Sequence, residues 1–478
     1  MDVKKLVQIK PEERQIAWQK LDFTAFLHFG INTFTNREWG TGQECPSLYN
    51  PSRLDTDQWC EALSSAGIKA CILTAKHHDG FCLFDTAHTN HGVMSSPCPK
   101  DVAAMLAASC EKYGLKLGLY LSPWDRHEAC YGTGKQYDDF FCSQLEELLT
   151  KYGKLYSLWF DGACGEGPNG KKQIYDWDRY YALIRKHQPD AVISIMGPDV
   201  RWIGNEAGET RPSEWSVVPA WTQSVQKITA DSQQTDDSEF RKRSILEPDL
   251  GSREILAGES ALVWYPAEVD VSIRPGWFYH PEEDDKVKPL ETLLHFYETA
   301  AGGNAVLLLN IPPDSEGRIH EADCRRLAEL GTAINNIFGT NLLEGAAAAD
   351  TAGKENPDYA AANILRNDES YWRPETETEQ AEIEIALSKM TKLSHIELGE
   401  QIRESQRIEA FSVYAKTKGL NGNQDGWEKI YSGTTVGFRK ICRFTPVETG
   451  SLKVEIEQSR IYPTLRFVGA YLDPKQCC

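Results

Sequence analysis

The sequence predicts an α/β fold: a (β/α)8-type, TIM-like barrel followed by an antiparallel, jelly-roll-like β-sandwich. Three observations predict it. Apolar strand-like runs alternate with amphipathic helical ones through the first two-thirds of the chain, which calls for parallel strands joined by crossover helices. Five such strands and at least one late one, spread over that length, suit a closed barrel better than an open sheet. Past residue 340 the texture changes to short period-two runs separated by turn residues, the pattern of an antiparallel sandwich.

The elements follow in order. FTAFLHFGI (23–31) reads as a buried strand, and DTDQWCEALSSAG (55–67) as a helix with an aspartate cap and a terminal glycine. KACILTAKH (69–77) is strand-like and DVAAMLAASCEKYG (101–114) helical; LKLGLYLSP (115–123) and YDDFFCSQLEELLTKYG (137–153) repeat the pair. LYSLWFDG (155–162), DWDRYYALIRKHQPD (176–190) and AVISIMG (191–197) continue it. The stretch 199–290 is irregular and rich in Trp and Pro, with no countable strands; beyond it ETLLHFYETAAGGN, AVLLLNI (305–311) and HEADCRRLAELGTAINNIF (320–338) supply a helix, a strand and a closing helix. The domain boundaries are therefore 1–340 for the barrel and 341–478 for the sandwich, whose NILRNDESYWRP and following strands are loosely similar to a discoidin-type, carbohydrate-binding-module-like jelly roll.

Composition narrows the function. Of 478 residues, 41% are hydrophobic and 25% charged, enough for a packed core. No run of about 18 apolar residues occurs, so no membrane span is expected. The net charge of −19 argues against nucleic acid and anionic lipid as partners. The 13 cysteines lack zinc-knuckle spacing and read mostly as buried thiols of a reducing interior. The stretch MDVKKLVQIKPEERQ has no apolar signal segment, so a cytoplasmic location is the expectation if that terminus is complete. The terminal Cys477–Cys478 pair reads as a free end with no metal or redox role.

Chemistry concentrates where strands end, the C-terminal face on which parallel barrels carry their sites. LYSLWFDG runs apolar and then delivers Asp161; the first strand ends at His28, the second at His77 and His78, the third at Tyr120, with Trp124 and His127 just beyond. Asp125 and Arg126 read as a pair at the base of that loop. Metal-dependent barrel hydrolases carry His-x-His on strand one, whereas His28 is alone; His77 and His78, adjacent on an extended strand, point to opposite faces. Neither a metal nor a cofactor is expected. Imidazoles and aromatic rings suit a sugar instead, and cleaving a glycosidic bond needs two carboxyl groups. Asp161 supplies one; the loop GPDVRWIGNEAGETRPSEW (197–215) offers Glu206, Glu209 and Glu214 for the other, and residue chemistry leaves the three nearly equal.

The words HFGINTFTNREWG, AKHHDGFCLFDT, GLYLSPWDRH, LWFDGACGEG and RWIGNEAGE resemble the retaining α-L-fucosidases of glycoside hydrolase family 29, in order across roughly residues 10–340. SPWDRH and RWIGNEAGE are similar to the subgroup preferring α-1,3- and α-1,4-linked fucose, with a broad-specificity α-L-fucosidase active on simple aryl fucosides as the alternative. The resemblance implies that Asp161 is the nucleophile and Glu206 the general acid/base. It implies that His28, Glu38, Trp39, His77, His78 and Tyr120 hold fucose hydroxyls and that Trp277, in RPGWFY, covers the apolar face of the sugar; Trp124 is a further pocket candidate. The implied partner is a fucosylated oligosaccharide or glycoconjugate, and relatives of this kind act in the periplasm or outside the cell. Three expectations stand side by side: an exo-acting fucosidase, a silent glycan-binding protein on the same fold, and a metal-dependent barrel hydrolase.

Overall fold

The computed structural model describes residues 3–232, 247–352, 357–417 and 426–476; Cys477 and Cys478 lie outside the described residues. Eight parallel strands form the first sheet: β1 (Phe23–Leu27), β2 (Ala70–Lys76), β3 (Lys116–Leu121), β4 (Leu155–Phe160), β5 (Val192–Ile195), β6 (Arg201–Trp202), β9 (Ala267–Ser272) and β10 (Ala305–Asn310). Their order is β5-β4-β3-β2-β1-β10-β9-β6, and a parallel bridge between Ser194 and Val200 joins the two ends into a barrel. The irregular middle thus holds two barrel strands, one only two residues long, together with a small antiparallel pair, β7 (Val217–Pro219) and β8 (Leu262–Trp264). Neither β6 nor β9 looks like a buried parallel strand in sequence, because β6 is too short and β9 alternates acids with valines.

The crossover helices are set by their caps. Asp55, Asp101 and Asp176 each accept a backbone N–H of the first turn, opening helices Thr56–Ser65, Val102–Tyr113 and Trp177–His187. Helix Glu13–Gln19 closes the bottom of the barrel, where Trp18 and Leu21 pack on Ala70, Val192, Val200 and Val306. Higher in the interior, Phe26, Ile72, Tyr120, Trp159, Ile195 and Leu308 form a second layer. With one end plugged and the interior filled, open space remains at the C-terminal mouth.

Beyond helix Glu321–Phe338 the chain forms one antiparallel six-stranded sheet: β11 (Ala347–Asp350), β12 (Ala381–Gly399), β13 (Ile408–Thr417), β14 (Gly426–Gly433), β15 (Lys440–Ser459) and β16 (Phe467–Tyr471). β12 and β15 are 19 and 20 residues long and pair along most of their length through register shifts, so both bend at bulges. Their outer halves pair with β11 and β13, and the other half of β12 pairs with β16, which folds the sheet over a core of Ile383, Leu393, Phe411, Val454 and Val468. Polar anchors join this layer to the barrel. The buried Arg439 guanidinium donates to Asp22 (3.0 Å), Glu397 (3.0 Å) and the Tyr297 hydroxyl (2.8 Å). Within the layer itself, the fully buried Glu400 carboxyl group accepts from the N–H groups of Arg407, Ile408 and Gly437.

Candidate active site

The mouth of the barrel holds a cavity lined by His28, Glu38, Trp39, His77, His78, Asp161, Glu206 and Trp277, together with Phe26, Trp159, Ile195, Trp202, Ser232 and Asp270. Asp161 is the first residue beyond β4, where the chain leaves the sheet and the buried run can end on a charge. Its Oδ1 accepts from the Ala163 N–H (2.8 Å) and its Oδ2 from the Tyr120 hydroxyl (3.1 Å). Burial pushes its carboxyl up to about 6, against the pull of those donors. Glycine follows because a Cβ on Gly162 would overlap the Ser232 side chain.

Glu206 sits four residues beyond the end of β6, and the Trp277 indole donates to its Oε2 at 3.0 Å. The other two glutamates of that loop are not in the cavity. Glu214 is buried in ion pairs with Arg201 and Arg211, and Glu209 is tied through its backbone N–H and carbonyl to the Asn205 amide. Trp277 is placed in turn by Glu38, whose carboxylate accepts from the Trp277 N–H (2.9 Å), the Phe278 N–H (3.2 Å) and the His280 Nε2 (2.7 Å). His280 also meets the Asn36 Oδ1 at 2.6 Å, so both its nitrogens donate; Glu38 holds this imidazole above its usual range, as a cation paired with the carboxylate. Glu38 therefore builds the wall of the cavity as well as lining it.

The hydrogen-bond network assigns the imidazole tautomers. The Asn310 amide donates to the Ser272 hydroxyl and the Trp277 carbonyl, so its Oδ1 accepts from His28 Nδ1 at 2.8 Å. The Ser122 hydroxyl donates to the Trp124 carbonyl, so it accepts from His78 Nδ1 at 2.7 Å. Both rings then carry their proton on Nδ1, and the Nε2 of His78 lies 3.6 Å from Asp161 Oδ2. Burial pulls His78 down to about 3 and His77 well below its usual value, so both are neutral. Neutral imidazoles in a pocket walled by indoles suit a neutral polyhydroxyl ligand.

Two expectations from the sequence are corrected. His77 and His78 do not face opposite ways: both follow the last residue of β2, where period-two alternation no longer holds, and their rings lie 4.2 Å apart in one cavity. Among the described residues no group of three or more His, Cys, Asp or Glu is placed to hold a metal. Asp125 pairs with the buried Lys76 (2.9 Å) rather than with Arg126, which donates to the Gly40 carbonyl. Tyr120 and Trp124 stand one layer behind the cavity surface, Tyr120 through its bond to Asp161 and Trp124 against His78 and Trp39 (4.9 and 5.4 Å between ring centres).

Sequence reasoning missed Trp159, Trp202 and Asp270. Trp159 precedes Asp161 by two positions on β4, and period two would have turned it inward with the aspartate. Asp270 was hidden in the irregular middle, although Glu268-Val-Asp270-Val carries the same alternation. Ile195 was also missed; it lines the cavity with φ 67°, a left-handed conformation that costs a β-branched residue about 1–3 kcal/mol. Its carbonyl accepts the Tyr265 hydroxyl (3.2 Å) and its N–H donates to the Val200 carbonyl (3.0 Å), bonds that hold it there.

The alpha-L-fucosidase family model matches residues 8–336. The chain is 39% identical to alpha-L-fucosidase 1 of Arabidopsis thaliana, over 97% of this chain and 87% of that protein. A crystal structure from Bacteroides ovatus, provisionally described as an alpha-L-fucosidase, is 46% identical, with a TM-score of 0.84 and coverage of 99% of this chain and 75% of that one. A Ruminococcus gnavus family 29 fucosidase solved with fucose bound is 28% identical, with a TM-score of 0.82 and coverage of 98% and 96%. Family match, relatives and barrel-mouth cavity agree: the chain belongs to the alpha-L-fucosidase family and is a glycoside hydrolase.

Proposed function

We propose that this alpha-L-fucosidase removes terminal α-1,3/1,4-linked L-fucose from branched glycans by a retaining double displacement. Asp161 is the nucleophile and Glu206 the general acid/base. The observation that carries the reading is that both carboxyl groups line one small cavity, Asp161 accepting from the Tyr120 hydroxyl and Glu206 from the Trp277 indole. In the first step an Asp161 oxygen bonds to the anomeric carbon as the glycosidic C–O bond breaks, and the Glu206 proton passes to the leaving oxygen. In the second, the Glu206 carboxylate takes a proton from water as that water displaces Asp161, and fucose leaves with its original anomeric configuration. His28, His77 and His78 hold hydroxyls, Trp39 and Trp277 cover the apolar side of the ring, and Tyr120 and Trp124 support them. On this reading residues 1–340 carry catalysis, and residues 341–478 brace the barrel through Arg439.

Linkage preference is supported by SPWDRH and RWIGNEAGE, which resemble the α-1,3/1,4 subgroup. Incubation with Lewis a, Lewis x and H-type trisaccharides, read by NMR for the anomer released first, tests both halves. α-L-fucose from the Lewis substrates is expected; β-L-fucose, or release from the H-type glycan alone, refutes the proposal. Glu206→Ala is expected to lose activity on natural glycans and to regain rate with azide on an activated aryl fucoside.

A further inference from the structure

The inner wall of the cavity contains a third carboxyl group that the two-acid mechanism leaves unused. On β9, Val269 and Val271 turn outward into the apolar layer under the helices, while Glu268, Asp270 and Ser272 turn into the barrel. Asp270 lines the cavity and is 5% exposed; the Trp202 indole donates to its Oδ1 at 2.6 Å. Glu268 lies one step deeper, takes the Trp159 indole at 2.7 Å and does not reach the cavity.

The ionisable groups facing Asp270 are Glu206 across the cavity, Glu268 on its own strand, and Asp161, Glu38, His28, His77 and His78 from the other strand ends. No Lys or Arg lines the cavity among the described residues, and Arg201, next to Trp202, is engaged by Glu214. Burial and the charges of Glu206 and Glu268 hold the Asp270 carboxyl well above the usual range. The indoles of Trp159, Trp202 and Trp277 are already engaged by the carboxyl groups of Glu268, Asp270 and Glu206, and His78 carries its proton on Nδ1, toward Ser122. A sugar hydroxyl has lone pairs of its own to satisfy. With Oδ1 occupied by Trp202, the Asp270 proton belongs on Oδ2.

We propose that Asp270 is a substrate-binding residue that works as a neutral carboxylic acid, donating its O–H from the barrel wall to an oxygen of the bound sugar. The inference rests on the reading of this cavity as the fucose pocket. No bond is made or broken by Asp270, and its neutrality keeps a third negative charge away from Asp161 and from Glu206 once that residue has given up its proton.

The test measures the inhibition constant of free L-fucose against pH for the wild-type enzyme, Asp270→Asn and Asp270→Leu, with an aryl fucoside as reporter. Wild type is expected to bind fucose more weakly on the alkaline side as Asp270 ionises. Asp270→Asn, which keeps a donor and stays neutral, is expected to bind within about threefold of wild type without that alkaline weakening. Asp270→Leu is expected to lose about tenfold, the worth of one hydrogen bond with its partner left unpaired. Wild-type affinity in the Leu variant, or an unchanged alkaline limb in the Asn variant, overturns the proposal. If the Leu variant does not fold, the Asn comparison decides, joined by the infrared band of a protonated carboxyl at neutral pH that Asp270→Asn must remove. Failure of the catalytic assignment is seen separately, as absence of azide rescue in Glu206→Ala, because fucose inhibition reads binding alone.

Discussion

Asp161→Asn is expected to make the protein more stable and nearly inactive, by an amount that depends on pH. Burial raises the Asp161 carboxyl from 3.8 to about 6 in the folded state, a gap equivalent to about 3 kcal/mol. The sign follows from linkage. Below pH 3.8 the group is neutral in both states and folding bears no penalty. As pH rises toward 6 the unfolded chain ionises first and stability falls; above 6 the full cost of the buried charge is present. Asparagine bears no such cost, and the Tyr120 hydroxyl that donates to Asp161 can turn to accept from the new amide. Urea unfolding of wild type and variant at pH 4 and pH 7.5 is expected to show near equality at the lower pH. At the higher pH the variant gains up to about 3 kcal/mol, while kcat falls by orders of magnitude. A gain of equal size at both pH values, or a variant less stable at pH 7.5, would refute the claim that a desolvated charge sits at Asp161.

Two other perturbations probe the groups around it. Tyr120→Phe keeps the ring stacked on Trp159 but deletes the donor to Asp161. Losing a hydrogen bond to a charged group, about 1.5 kcal/mol, is expected to move the acidic limb of kcat/KM from near 6 up by about one pH unit; a limb that stays put or moves down counts against the bond. Arg439→Met leaves Asp22 and Glu397 facing each other without their buried guanidinium, so thermal unfolding is expected to begin earlier by the equivalent of about 3–5 kcal/mol. An unchanged transition would mean that the ion pairs do not hold the sandwich to the barrel.

The alternation of apolar strands and amphipathic helices was readable because each element carries its period locally: a strand such as Ala70–Lys76 is buried along its whole length, and its neighbouring helices are opened by Asp55 and Asp101. The middle of the barrel was not, since Arg201–Trp202 is two residues long and Ala267–Ser272 carries acids where buried strands carry aliphatics. Those acids are tolerated because an indole from β4, across the barrel, and one from the neighbouring β6 donate to them, contacts between residues 109 and 68 positions apart. Asp161 could be located from its place at the end of an apolar run, but choosing Glu206 over Glu209 and Glu214 required resemblance.

Local periodicity and the chemistry of strand ends are properties of neighbouring residues, so the order of letters alone specified the barrel, the sandwich and the identity of Asp161 as a charge at a rim. Which glutamate joins it, which way His77 and His78 turn, and that Asp270 stands in the same cavity depend on partners far along the chain: Trp277 for Glu206, Ser122 for His78, Trp202 for Asp270. Only closure of the barrel brings those groups within hydrogen-bonding reach, and burial there, rather than residue type, sets their protonation.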